Sequence, residues 1–169
     1  FELKNGKLIT EEKRINTDIE SIQGEANLFH TFQDESELNV KTYYFHSQRG
    51  LPGAVILYNK ESDERLWDDN FFAQARYKKV FNPQWTLQAQ GKYNYSWNKY
   101  EDTGAEYVGG KQTDTNRQKE YYLSASILYQ PVKGWSLSLS QDGFINKLHT
   151  NGTNSPEPTR YSSLTALNI

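Results

Sequence analysis

The chain has 169 residues, a formal charge of −2, no cysteine, no methionine and a mean hydropathy of −0.88. No run approaches the roughly 18 apolar residues a spanning helix needs, which excludes a helical membrane protein. The near-neutral charge offers no broad basic surface for nucleic acid, and the lack of cysteine excludes disulfides and thiolate metal sites.

Residues 1–18 are polar and charged and read as a loop, with Asn5-Gly6 a turn signal that a short hairpin could use. Methionine is missing even at position 1 and no signal peptide is visible, so a processed chain or an internal piece of a longer one is expected. Ile19–Phe32 alternates, with Ile22, Gly24, Ala26, Leu28 and Phe32 on one face and Ser21, Gln23, Glu25, Asn27 and Thr31 on the other. After the turn Gln33–Ser36, Glu37–Gln48 carries Leu38, Val40, Thr42 and Tyr44 opposite Asn39, Lys41 and Tyr43. Arg49–Asp69 is expected to be a long loop, bent where Gly50 and Gly53 flank Leu51 and Pro52.

Asn70–Phe81 carries Phe71, Ala73, Ala75, Tyr77 and Phe81 outward and Gln74, Arg76 and Lys78 inward. Asn82–Gln84 is a tight turn into Trp85–Trp97, the most regular alternation in the chain. Its outward residues are Trp85, Leu87, Ala89, Gly91, Tyr93, Tyr95 and Trp97; its inward ones include Gln88, Gln90, Lys92 and Asn94. The two Trp stand ~40 Å apart along such a strand, or ~30 Å along the membrane normal after a ~40° tilt. That span matches an apolar band ~25 Å tall with aromatic girdles at both interfaces.

Glu101–Asn116 lacks periodicity and reads as a loop. The next outward face is Tyr121, Leu123, Ala125, Ile127 and Tyr129. Pro131–Gly134 turns the chain, and Trp135, Leu137 and Leu139 begin a strand that fades beyond Asp142. His149–Thr159 reads as a loop, and Arg160–Ile169 reads as a strand up to its last residue.

The connections alternate short and long, and Phe32, Phe81, Trp85, Tyr129 and Trp135 all sit beside short ones. Outer-membrane barrels have short periplasmic turns and long outer loops. The expectation is an all-β chain: an antiparallel up-and-down segment of about seven strands from a larger transmembrane β-barrel. Phe81, Trp85, Tyr93, Tyr95, Trp97, Tyr129 and Trp135 would form the membrane girdle, and Gln74, Arg76, Gln88, Gln90, Lys92 and Asn94 (with Ser124 and Ser126) would face the lumen.

The segments RGLPGAVILYN (49–59), ERLWDDNFFAQARY (64–77) and YNYSWNKYED (93–102) resemble the barrel of TonB-dependent outer-membrane receptors, especially those of Bacteroidetes. The likeness runs over roughly 19–169 and is specific in RGLPG and LWDDNFF. It implies a barrel of about 22 strands with a plugged lumen, in the bacterial outer membrane, importing a scarce nutrient such as iron–siderophore or cobalamin, the cobalamin-receptor-like members being nearest. All of residues 1–169 would then belong to the barrel domain, the plug and the TonB-contacting segment lying in a missing N-terminal part. The partners implied are outer-membrane lipid, the receptor's own plug and remaining barrel strands, the TonB complex and a small nutrient ligand, with no nucleic acid and no cofactor.

Arg49, Gly50, Leu51, Pro52 and Gly53 could form a ligand-contacting turn, although backbone geometry alone accounts for the Gly and Pro. The acidic run Glu61, Asp63, Glu64, Asp68 and Asp69 could offer oxygen ligands to Ca²⁺, but its spacing fits no recognised ligand loop and a solvated loop is expected. Gly109-Gly110-Lys111 fails the phosphate-loop pattern at Ala105 and Gln112. His30, His46 and His149 share no short segment, so nothing supports an enzyme. Two other functions fit the pattern: a non-energised porin-like barrel, and a soluble β-sandwich used for adhesion or binding.

Overall fold

The computed structural model describes residues 2–4, 7–10, 14–52, 62–104, 108–152 and 157–169. Within them all regular structure is β-strand. No helix is long and apolar enough to cross a membrane, which says nothing of crossing by strands. The short strands β1 (Glu2–Lys4) and β2 (Lys7–Thr10) pair antiparallel, as the Asn5-Gly6 signal suggests; that turn itself lies outside the described residues.

The other strands are β3 (Ile19–Thr31), β4 (Glu37–Leu51), β5 (Glu64–Asn82), β6 (Trp85–Asp102), β7 (Gln112–Tyr129), β8 (Leu137–Thr150) and β9 (Thr159–Asn168). They form one seven-stranded antiparallel meander in chain order. The sheet is open, with β3 and β9 as its edges among the described residues. At one end the connections span 32–36, 83–84 and 130–136; at the other they span 52–63, 103–111 and 151–158.

The short turns are held by local polar chemistry. Phe32 N donates to Ser36 O across 2.8 Å, and the Asp34 carboxylate accepts from Ser36 Oγ at 2.6 Å. Lys79 Nζ, 2.6 Å from Asp34, ties this turn to β5. Asn82 Oδ1 accepts from the backbone N of Gln84 at 2.9 Å and of Trp85 at 3.0 Å, closing the β5–β6 turn beside a register shift between Val80 and Asn82. In the β7–β8 turn Gly134 adopts φ +88°, a conformation costly for any side chain.

Several strands run further than their side-chain pattern suggests. β4 continues to Leu51 and β5 begins at Glu64, so much of the expected loop Arg49–Asp69 is strand, closed by the pair Leu51↔Glu64. β6 and β7 likewise extend to the pair Asp102↔Gln112, well inside the expected loop Glu101–Asn116. β8 does not fade after Asp142 but pairs with β7 as far as Thr150. In contrast, Trp135 precedes β8 and lies in the turn, its N donating to Val132 O at 3.2 Å. The ladder is built from backbone groups and is indifferent to side-chain polarity, whereas alternation reports only where one face meets an apolar surrounding.

No apolar side chain among the described residues is buried; the buried ones are Ser36, Ser47 and Ser62. Among the described residues the seven-stranded sheet therefore has no buried apolar core.

Candidate functional site

The register carries each strand's apolar phase onto the same side. Leu38 pairs with Tyr77, Tyr77 with Ala89 and Ala89 with Ala125. The next row is Val40, Ala75, Gly91 and Leu123, the last of which is 69% exposed. At the short-turn end Trp85 stacks on Tyr129 with ring centroids 4.3 Å apart, and Phe81 and Trp135 are exposed beside them. Toward the other end Tyr44, Phe71 and Tyr95 share a row. Tyr93 stands one row nearer the middle, between Phe71 at 6.4 Å and Tyr121 at 5.1 Å. Trp97 lies one row beyond Tyr95, opposite Asp69 and Arg117.

The opposite face collects Gln74, Arg76, Gln88, Gln90, Lys92, Asn94, Ser124 and Ser126, all in the other phase of the same register. Their polar groups are linked across strands. Gln90 Nε2 donates to Tyr122 Oη at 3.1 Å, and that hydroxyl donates to Asp142 at 3.0 Å. Asn94 and Gln118 donate to the two oxygens of Glu120 at 3.2 and 2.9 Å, and Arg76 donates to Gln88 at 3.1 Å. Tyr43 stacks on Phe72 at 5.4 Å, and Lys92 Nζ lies 4.9 Å from the Phe72 ring centre. Beside this pair a shallow depression of about 350 Å³ is lined by Tyr43, Phe45, Asp68, Asn70, Ser96 and Asn98, among others.

The RGLPG motif is engaged by its own chain. Gly50 N donates to Asp18 O at 2.9 Å. A Cβ on Gly50 would lie 2.1 Å from Asn16 Oδ1 and 2.6 Å from Asn16 O, so only glycine admits this approach. Asn16 Nδ2 donates to Leu51 O at 3.2 Å and to Glu64 O at 2.6 Å, bridging the last residue of β4 and the first of β5. Arg14 donates to Pro52 O at 3.4 Å, and Arg65 binds the Asp18 carboxylate at 2.7 Å. Arg49 pairs with Asp68 at 3.2 Å. Residues 14–18 thus clamp this corner, and Arg49, Gly50 and Leu51 belong to strand β4, not to a loop. Gly53 lies outside the described residues.

The acidic residues do not converge. Glu61 lies outside the described residues, and Asp63 precedes β5. Glu64 and Asp68 share a face but stand ~13 Å apart along the strand, too far for one ion. Asp69 points to the other face, 2.7 Å from His46 Nδ1 and 3.3 Å from the Tyr44 hydroxyl. Among the described residues no group of three His, Asp or Glu side chains could hold a metal ion.

One feature carries no local sequence signal and another only a faint one. The Asn16 clamp joins residues 35 and 48 positions apart. On the apolar face of β8 and β9, Gln141 Nε2 donates to Ser163 Oγ at 2.7 Å and Gln141 Oε1 accepts from Thr165 Oγ1, a polar trio in the register rows of Ala89 and Gly91. Fading alternation after Leu139 was its trace. The sequence matches neither a known protein-family model nor a curated protein.

Proposed function

We propose that this sheet is part of the wall of an outer-membrane β-barrel, and that the barrel is a TonB-dependent receptor importing a scarce nutrient. The observation that carries the barrel reading is a seven-stranded meander with strands of up to 19 residues and no buried apolar side chain among those described. A soluble sheet buries its apolar face under a second layer. Here most of the exposed large apolar groups stand on one face, bordered by aromatic residues, while the other, which also exposes Phe29, Phe144 and Leu164, is laced with hydrogen bonds, as in a wall between lipid and a wet lumen. The receptor reading is supported by the resemblance of segments 49–59, 64–77 and 93–102. On this reading the chain is architectural: its hydrogen-bonding face meets lumen or plug, and energy coupling resides elsewhere in the receptor.

The test is a nitroxide on Ala89→Cys and on Gln88→Cys in the complete protein in bilayers, read by electron spin resonance. The barrel predicts high oxygen collision at 89 and high collision with a water-soluble nickel reagent at 88. Low oxygen access at 89, as in a packed core, would favour the soluble β-sandwich. Import that persists after collapse of the proton-motive force would favour a porin-like barrel.

A further inference from the structure

One row of the apolar face changes chemistry between strands. Tyr44, Phe71 and Tyr95 lie side by side on β4, β5 and β6, and the same row continues into Lys119 on β7 and Lys147 on β8. One row further out, Arg117 stands opposite His149. Arg117, Lys119 and Lys147 are all exposed. Like charges directly opposite on antiparallel strands, with Cβ atoms ~4.5–5.5 Å apart, repel. No ion pair among the described residues engages Arg117, Lys119 or Lys147, whereas His149 has Glu157 as its partner. Among the carboxylates at this end, Asp69 pairs with His46 and Glu101 with Lys99 and Lys111, while Glu157 pairs with His149, the residue opposite Arg117.

The height of the row is informative. From Tyr129 to Lys119 strand β7 rises ~34 Å, or ~26 Å along the normal at a ~40° tilt, which is the height of the apolar band. The lysines therefore stand where acyl chains give way to headgroups. On the short-turn side of them the same face presents Tyr161, Tyr121 and Leu123, open to a hydrocarbon chain.

Resting on the barrel reading above, we propose that Arg117, Lys119 and Lys147 bind the phosphate-monoester headgroup of a membrane lipid at the long-loop edge of the band. A phosphate monoester carries a charge of about −1.5 to −2 near neutral pH and three acceptor oxygens. The Arg117 fork suits two of those oxygens, and the lysines act as point charges that an anion turns from mutual repulsion to shared attraction. The apolar row beneath favours a lipid over a free anion, because it gives the acyl chain a surface.

The complete protein is reconstituted in nanodiscs of phosphatidylcholine with or without phosphatidic acid, and lipid retained through detergent washes is read by native mass spectrometry. Wild type should retain phosphatidic acid preferentially. Lys119→Gln and Lys147→Gln should each weaken that preference about fivefold, the equivalent of ~1 kcal/mol per basic residue near a membrane surface. Lys41→Gln, a charge-matched change on the opposite face, should leave it unchanged. Unfolding supplies a second readout: Lys119→Gln should raise stability in pure phosphatidylcholine, where it relieves repulsion, and lower it with phosphatidic acid. Complete displacement of the lipid by inorganic phosphate would overturn the lipid assignment. Equal retention of both lipids by inserted wild type would overturn this site and leave the barrel standing. Failure of wild type to insert into either disc would remove both.

Discussion

The middle of the apolar face and the corner where residues 14–18 meet β4 and β5 are held in opposite ways. Around Ala75, Ala89, Gly91 and Leu123 the side chains are exposed or half-exposed, and on the barrel proposal their contribution comes from the lipid outside the sheet. Any apolar residue of moderate size would serve there. At the corner, Gly50 admits Asn16 to a distance that no other residue allows, and one side-chain amide satisfies two carbonyls. The first region is specified by the solvent, the second by shape. The comparison teaches that the strongest motif in the sequence, RGLPG, marks a place where the chain fits itself, while the surface facing the proposed membrane is written in a loose, repetitive code.

The band breaks most sharply with a charge. In the proposed barrel, Ala89→Arg should cost ~2–4 kcal/mol, the penalty of arginine at the midplane of a membrane barrel. Gln90→Arg, one residue on and in the opposite phase, should cost under ~1 kcal/mol if the lumen is wet. Ala89→Leu should be nearly neutral. Reversible urea unfolding in lipid vesicles checks all three, and equal penalties at 89 and 90 would erase the distinction between faces.

The corner breaks with a single methyl group. Gly50→Ala should destabilise the clamp by ~1–3 kcal/mol, as overpacking against fixed neighbours does. The effect should be local, because rim contacts can open while the sheet stays paired. Hydrogen exchange at the Gly50 amide, which donates to Asp18 O, should therefore accelerate roughly 5- to 150-fold. The global unfolding midpoint should hardly move. Asn16→Gly suits the positive φ of 54° at that position and removes the side-chain clash, so it should rescue Gly50→Ala partly and leave the backbone oxygen as the residual obstacle.

The same contrast explains what could be read from the residues alone. Alternation at Trp85–Trp97, and its counterparts on β4, β5 and β7, gave strands, phase and order, because period-2 apolarity follows directly from one face meeting a nonpolar medium. Strand ends at Leu51, Glu64, Asp102 and Gln112 were illegible, since backbone pairing outlasts the band and leaves no side-chain trace. The clamp was illegible because its partners are far apart in the chain. Gln141, Ser163 and Thr165 look like a failing strand, yet they satisfy one another, which the proposed lipid surroundings would require of polar groups. Gln141→Leu should thus cost ~0.6–1.7 kcal/mol, the range for hydrogen bonds within membranes, by orphaning the two hydroxyls. The triple change Gln141→Leu, Ser163→Ala and Thr165→Val should return stability close to wild type. A triple variant no better than the single one would mean that this stretch of the face does not meet lipid.

Acid should separate the two regions with the smallest effect. The Arg65 guanidinium bound to Asp18 holds that carboxyl below its ordinary range, more strongly than partial desolvation raises it. A lowered folded-state value means that the charged form favours the clamped structure. The stabilisation is complete above the unfolded carboxylate's pKa of ~3.9 and is lost as pH falls through the lower folded value. Between pH ~7 and ~5 the Gly50 amide should keep one opening constant once the intrinsic exchange rate is divided out. Below pH ~4 that constant should rise severalfold, while amides of the band, such as those of Ala89 and Leu123, should show no matching change. In Asp18→Asn the clamp should be looser at neutral pH and its opening independent of acid. An unchanged acid response in that variant would assign the effect to another carboxylate, and Asp34, held low by Lys79 at the opposite end of the sheet, is the one to substitute next.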